Sequence, residues 1–248
     1  MGTIYIMCLR QLKRFWRSKP RILISIFQPL LFLVAFGFGF GPIFQSATGI
    51  EYINFLAPGI IAMTILFGSI MNGIETIWDK QFGFLKETLV APVPRWEIMF
   101  GRTLGGACVA MIQGTLVLLI TFFFGFRPES LLGLFAAFGI MFLIALFFSA
   151  LGIAMASKLD DMQAFPLVVN LLIMPIFFLS GALFPLNNLP SILLNIVKFN
   201  PLVYGVDALR GLLTGIYNIG LIFDLLVLIP LIIIMIIIGA WSFTKIEV

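Results

Sequence analysis

Six stretches of this sequence contain no charged side chain: residues 22–50, 52–74, 103–126, 130–157, 162–197 and 225–244. Each is long enough to cross bilayer hydrocarbon as a helix, which takes about 20 apolar residues. The whole chain of 248 residues is 61% hydrophobic and 10% charged, whereas a soluble domain is roughly a quarter charged. Nothing resembling a soluble domain remains between or beyond the stretches. Strands of a membrane barrel would alternate in segments of about ten residues. Instead "VVNLLIMPIFFLSGALF" and "LLVLIPLIIIMIIIGAW" are continuously apolar. In lipid such a run satisfies its own backbone polar groups only as a helix. The fold class expected is an all-α integral membrane protein, a single transmembrane domain over 1–248. Its six spans are expected at about 22–41, 55–77, 102–126, 131–157, 164–184 and 221–243. The first apolar core is too long for a signal peptide and no A-x-A site follows, so it reads as a retained span.

Basic residues orient the chain. Arg10, Lys13, Arg14, Arg17, Lys19 and Arg21 precede the first span, and Lys80, Lys86, Arg95 and Arg102 fill the second-to-third connection. Lys158 and Lys245 fall on the same side, against Arg127, Lys198 and Arg210 on the other. The positive-inside rule places both termini in the cytoplasm. An even number of spans agrees.

The segment "IYIMCLRQLKRFWRSKP" has helical periodicity. Arg10, Lys13, Arg14 and Arg17 share one face, and Tyr5, Leu9, Leu12 and Trp16 another. Such a helix, over about 3–18, lies in the cytoplasmic interface with its basic face toward anionic headgroups. Near the other end, residues 186–217 hold several prolines yet are too apolar for a solvated loop. Two short helices, 191–198 and 202–213, read as a re-entrant pair, permitted where protein covers the backbone. Asp207 and Arg210 are spaced to pair on it.

Much chemistry is excluded. No G-x-x-x-x-G-K-[ST] loop occurs, so ATP is not bound by that mechanism. Histidine is absent, and Cys8 and Cys108 supply neither a metal framework nor a disulfide scaffold. No nucleic-acid partner is indicated. "GFGFG" at 37–41 ends a span rather than following a strand, so it reads as close helix packing. Gly101 and Gly105 form a G-x-x-x-G, a helix-contact signal. Asp160 and Asp161 read as a solvated loop. Glu75 and Asp224 lie near span ends, within reach of water. The polar residues inside spans (Gln28, Thr64, Asn72, Gln113, Thr115, Asn170, Ser180) read as helix–helix glue.

A chain without an energy source but with spans needs a connection to one. Residues 79–101 concentrate Lys86, Glu87 and Arg95 around Pro92 and Pro94. A short helix there ends before the prolines, because residues preceding proline avoid the α region. Phe82, Phe84 and Leu85 are then available to fill a groove on a partner.

At these residues the chain resembles a known family. "FLAPGIIAMTILFGSIMNG", "FGFLKETLVAPVPRWEIMFGRTLGG", "PIFFLSGALFPLNNLP" and "NPLVYGVDALRGLL" resemble, in order, the type-2 ATP-binding-cassette exporter permeases. The likeness covers nearly the whole chain and is greatest to the drug-resistance and nodulation-factor branch. It implies a homodimer with two separate ATPase subunits that hold ATP and Mg, this chain binding no cofactor. It assigns 81–88 as a coupling helix docking the ATPase and 91–95 as the return turn. It assigns 178–185, with Phe178, Ser180, Gly181, Phe184 and Pro185, to closing the outer end of the pathway beside Asp207 and Arg210.

The expected function is the permease subunit of an exporter in the cell membrane, without enzymatic activity of its own. With 28 Phe against four Trp and four Tyr, a lipophilic drug or lipid suits it better than a sugar gripped by amphipathic rings. Polysaccharide or glycolipid export stays open, as does an ion-coupled secondary transporter, which would need intramembrane acids.

Overall fold

The computed structural model describes residues 2–48, 51–186 and 190–246, the side chains of 43–48 excepted. Every regular element among them is a helix. In chain order these are α1 (Gly2–Arg17), α2 (Lys19–Thr48), α3 (Tyr52–Gln81), α4 (Phe84–Val90) and α5 (Arg95–Phe123). Then come α6 (Leu131–Lys158), α7 (Ala164–Phe178), α8 (Ser191–Val197), α9 (Pro201–Thr214) and α10 (Leu221–Thr244). Helices α2, α3, α5, α6 and α10 are long and apolar enough to cross a membrane. The pair α8–α9, bent by 84°, would make six as one broken span. The all-α membrane class is as expected.

Helix α3 is the centre of the bundle. It packs on α6, α5, α2 and α9, and its apolar side chains from Leu56 to Ile77 form much of the core. Small residues permit the close approaches. A Cβ at Gly152 of α6 would lie 2.7 Å from the Ile70 carbonyl oxygen of α3. The G-x-x-x-G of α5 meets α1: a Cβ at Gly101 would fall 2.8 Å from that of Met7, and one at Gly105 2.8 Å from that of Gln11. That contact was legible. The one expected for "GFGFG" is not made among the described residues, none of which lies within 4 Å of a Cβ added at Gly37, Gly39 or Gly41. Helix α2 stands almost bare, with Leu23, Ile24, Phe27, Leu31, Phe38 and Phe40 exposed.

The connections define two ends. At one, the basic end, Lys80 closing α3 pairs with Asp160 beyond α6, and Arg95 opening α5 donates to the Thr244 carbonyl of α10 at 2.7 Å. At the far end, the Tyr52 hydroxyl opening α3 donates to the Leu183 carbonyl at 3.0 Å. The Leu213 carbonyl of α9 accepts from the Glu129 backbone amide before α6 at 2.9 Å, and the Asn200 side-chain Nδ2 donates to the Ile176 carbonyl of α7 at 2.6 Å.

Several expected boundaries shift: those placed at 55–77 and 102–126 become Tyr52–Gln81 and Arg95–Phe123. The span placed at 164–184 is helical only to Phe178, a rise of about 22 Å. There the Ser180 hydroxyl donates to the Phe177 carbonyl at 2.6 Å and accepts from the Ala182 amide at 3.2 Å. Gly181 at φ +74° completes the turn. The short helix placed at 81–88 is α4, Phe84–Val90, because Gln81 still belongs to α3 and Gly83 at φ +78° turns the chain. The first span begins earlier than 22, at Lys19, one residue after α1. Of the region 186–217, residues 187–189 lie outside the described part.

Candidate functional site

The basic end holds a charge lattice that the sequence reading did not anticipate. Glu75 and Asp79, one turn apart on α3, are both buried. Asp79 accepts from Arg10 at 2.9 and 3.0 Å and from Arg102 at 2.6 Å; Arg102 is itself only 1% exposed. Arg21 pairs with Glu75 and donates to the Asn72 side-chain Oδ1 at 3.0 Å. Arg14 stands 3.6 Å from both carboxylates. Asn72 donates to the Gly68 and Gly106 carbonyls, joining α3 to α5.

Two expectations are corrected here. Arg10 and Arg14 turn toward α3 rather than toward headgroups, because two buried carboxylates offer better partners than an exposed interface. Lys13, Trp16 and Arg17 remain exposed, as does Tyr5, while α1 buries Gln11 and Phe15. Glu75 is likewise not within reach of water. The signal available in the sequence was the i, i+4 spacing of Glu75 and Asp79 beside a leader rich in arginine.

Helix α4 hangs from this lattice. Leu85 is fully buried in the core, so it cannot enter a partner's groove as expected; Thr88 one turn on is also buried. With 85 and 88 inward, helical periodicity turns Lys86, Glu87 and Val90 outward; all three are exposed, as is Phe82 in the turn before α4. Phe84 is partly covered by the Arg10 guanidinium, 4.0 Å from its ring centroid. Arg95 is held by the Thr244 and Ile246 carbonyls. Of the six residues assigned to docking, the surface brings together Phe82, Phe84, Lys86 and Glu87.

At the far end, residues 179–186 fold over α3. Ser180, Gly181, Ala182 and Leu183 are buried, whereas Phe178, Phe184 and Pro185 are exposed. The Ala182 carbonyl sits where a Cβ of Gly59 would be, so only glycine fits there. Asp207 and Arg210 do not pair with each other as expected. Arg210 donates to the Gly181 carbonyl at 2.8 Å and lies 3.9 Å over the Phe55 ring. Asp207 accepts from the amides of Asn218 and Ile219 at 2.9 and 2.8 Å, closing the α9–α10 loop. Each charge meets backbone dipoles brought to it by the fold. Burial first, then the Asp207, Asp224 and Glu129 carboxylates, pushes the Tyr217 hydroxyl above its ordinary pKa. Asp224 is fully buried, not near water, and neither carboxylate oxygen has a hydrogen-bond donor among the described residues.

Two cavities lie between these ends. One of about 410 Å³ separates residues 180–186 from α8 and α9, with Tyr204, Asp207 and Arg210 on its wall. The other, about 530 Å³, lies between α2 and α3 and is bounded by Arg14, Arg21, Met63, Phe67, Met71 and Gln113. No cluster of three or more His, Cys, Asp or Glu suited to a metal occurs among the described residues.

A model of the family described as ABC-2 type transporter matches residues 3–214, the lattice, α4 and the cleft between α2 and α3 included. The chain belongs to the ABC-2 type transporter family. It is 34% identical over 206 residues to the protein ycf38 of Cyanophora paradoxa, covering 82% of this chain and 70% of that one. It is 28% identical to the inner membrane transport permease YadH of Escherichia coli K12, over 86% of this chain and 83% of that protein. Nodulation protein J of Rhizobium leguminosarum bv. viciae is 26% identical, over 78% of this chain and 75% of its own. This ABC-2 chain is therefore a multi-pass membrane transport subunit, in the group that holds the YadH and nodulation J permeases.

Proposed function

We propose that this chain is the permease of an exporter that moves a lipophilic drug, lipid or related amphiphile out of the cytoplasm or inner leaflet. Separate ATP-binding-cassette subunits, holding ATP and Mg, drive it. The observation that carries the reading is α4: a helix anchored in the core by Leu85 that presents Lys86, Glu87 and Val90 outward, beside the exposed Phe82 in the turn before it. A chain without a phosphate-binding loop receives work through such a surface. The aromatics supply affinity and the charges fix register.

In this reading the basic end is cytoplasmic. Helix α7 is the fifth crossing, since it runs from the neighbourhood of Lys80 and Asp160 to that of Tyr52 and Leu183, the two ends of α3. Helices α8 and α9 keep to the far end through Ile176, Gly181 and Glu129, as a re-entrant pair does. Six crossings then leave both termini in the cytoplasm. The bare face of α2 and the exposed Leu167 and Leu171 of α7 suit a second copy of the permease. Residues 178–185, locked by Arg210, form the outer gate. Asp224 is the one observation that favours an ion-coupled alternative.

The test replaces Phe82 and Phe84 together by Ala. Neither is in the core, so insertion and folding persist. Loss of about 2–4 kcal/mol of docking energy, the scale of interface hot spots, weakens co-purification of the ATPase and lowers export to background. A variant that retains its ATPase and exports at the normal rate removes the coupling role from α4. Export abolished by a protonophore but not by ATP depletion would favour the ion-coupled alternative.

A further inference from the structure

The geometry points to a binding site for an anionic amphiphile in the cleft between α2 and α3, entered from the bilayer leaflet at the basic end. The inference rests on the export reading above and narrows its cargo. The cleft of about 530 Å³ is graded along its length. Arg14 and Arg21 stand at one rim with the Glu75 carboxylate they share, and Met63, Phe67 and Met71 form an apolar wall beyond them. A molecule with a charged head and a hydrocarbon body matches that gradient.

Charge selects the head. Four guanidinium groups, those of Arg10, Arg14, Arg21 and Arg102, share two carboxylates, those of Glu75 and Asp79, among the described residues. The lattice therefore keeps an excess of positive charge. Arg10, Arg21 and Arg102 each donate directly to a carboxylate. Arg14 does not: it is 3.6 Å from both acids and donates no hydrogen bond among the described residues. Its guanidinium keeps its donor fork for a phosphate or carboxylate, the geometry that arginine matches best. Anionic lipid headgroups are the bilayer-resident source of that chemistry.

A second observation lies deeper. Gln113 lines the cleft, is 3% exposed, and its Oε1 has no hydrogen-bond donor among the described residues. A buried acceptor left without a donor is costly. A ligand hydroxyl or amide below the headgroup would satisfy it. The missing side chain of Gly68 leaves room for that oxygen, since a Cβ there would overlap it. Met63 and Met71 are among its apolar wall positions, a flexible lining that adapts to chains of different shape.

Trp78 also borders the cleft and provides the readout. Trp16, Trp96 and Trp241 are replaced by Phe, and the purified permease is placed in phosphatidylcholine nanodiscs. Titrating phosphatidylglycerol into them should change Trp78 emission saturably, with at least tenfold preference over added phosphatidylcholine. Soluble glycerol phosphate should give no response at the same concentrations. Arg14→Gln and Gln113→Leu should each weaken the phosphatidylglycerol response about tenfold while the helical circular dichroism persists. Equal responses to both lipids, an equal response to glycerol phosphate, or unchanged affinity in both variants would each overturn the site. The lipid comparison on the unmutated cleft needs no variant to fold. Because binding is read without ATP or ATPase, saturable binding with no export sinks the export reading alone. Export without binding sinks this site alone.

Discussion

Replacing Asp79 by Leu tests the charge lattice most directly. Asp79 holds two arginines from different helices, Arg10 of α1 and Arg102 of α5. Arg102 is buried, and without Asp79 its remaining side-chain hydrogen bond is to the Thr76 hydroxyl at 3.2 Å. Its Nε already lacks a partner. Removing one member of a buried pair costs about 3–5 kcal/mol, because the other charge stays desolvated. Arg10 adds about 1 kcal/mol or less, since its side chain is 27% exposed and reaches solvent once released. At roughly 2–4 °C per kcal/mol for a chain of this size, the melting temperature should fall on the order of 10 °C. Thermal unfolding in one detergent, followed by circular dichroism, measures it. The paired variant Asp79→Leu with Arg102→Met should recover most of the loss, because a buried ion pair is often replaceable by apolar side chains. A single variant within about 2 °C of the parent protein, on the same scale, would refute the reasoning. So would a double variant as unstable as the single one.

Gly105→Leu should prise α1 from α5, because a Cβ already lies 2.8 Å from that of Gln11 and 3.1 Å from the Cys8 Cα. Trypsin cleavage at Lys13 and Arg17 should then accelerate at least tenfold, on the order expected when a contact worth more than 1.4 kcal/mol is lost. Arg210→Met removes a buried charge-assisted hydrogen bond to the Gly181 carbonyl, worth about 1.5–3 kcal/mol. Amide exchange should rise across residues 179–185 while α4 exchanges as before. Asp224→Asn should hold or raise the melting temperature, since it deletes a buried carboxylate that has no donor among the described residues. A marked fall would mean that the carboxylate has a partner or an ion.

The helices were legible because lipid leaves a chain few options: charge-free runs longer than a bilayer fold as helices. The α1–α5 contact was legible too, because Gly101 and Gly105 mark a face where backbones meet. Side-chain direction was not. Arg10 and Arg14 occupy one face of α1 in any helix, yet whether that face meets headgroups or α3 depends on the register of the α1–α5 packing. Leu85 and Phe84 are neighbours of similar hydrophobicity. Only the turn at Gly83 decides that one enters the core and the other faces out. The pairing expected for Asp207 and Arg210 failed for a related reason. Their i, i+3 spacing permits an ion pair, but the fold brings the Gly181 carbonyl and the Asn218 and Ile219 amides from distant segments.

The same lattice explains why a push on α4 cannot stop at α4. Leu85 fixes the helix to the core of α3, and Phe84 lies under the Arg10 guanidinium. Arg10 in turn holds both oxygens of Asp79, which also binds Arg102 at the start of α5. A displacement of α4 therefore loads α1, α3 and α5 together. Helix α2, which also packs on α3 and α5, shares that load through Arg21 on Glu75 and Asn72, and its outer face is exposed among the described residues. Only Ser18 separates α1 from α2, so a tilt of α1 passes directly to the base of α2. Motion of α2 against a fixed α3 widens or closes the cleft that contains Gln113 and Arg14. In the proposed exporter, work delivered at α4 would thereby be converted into a change at the cleft.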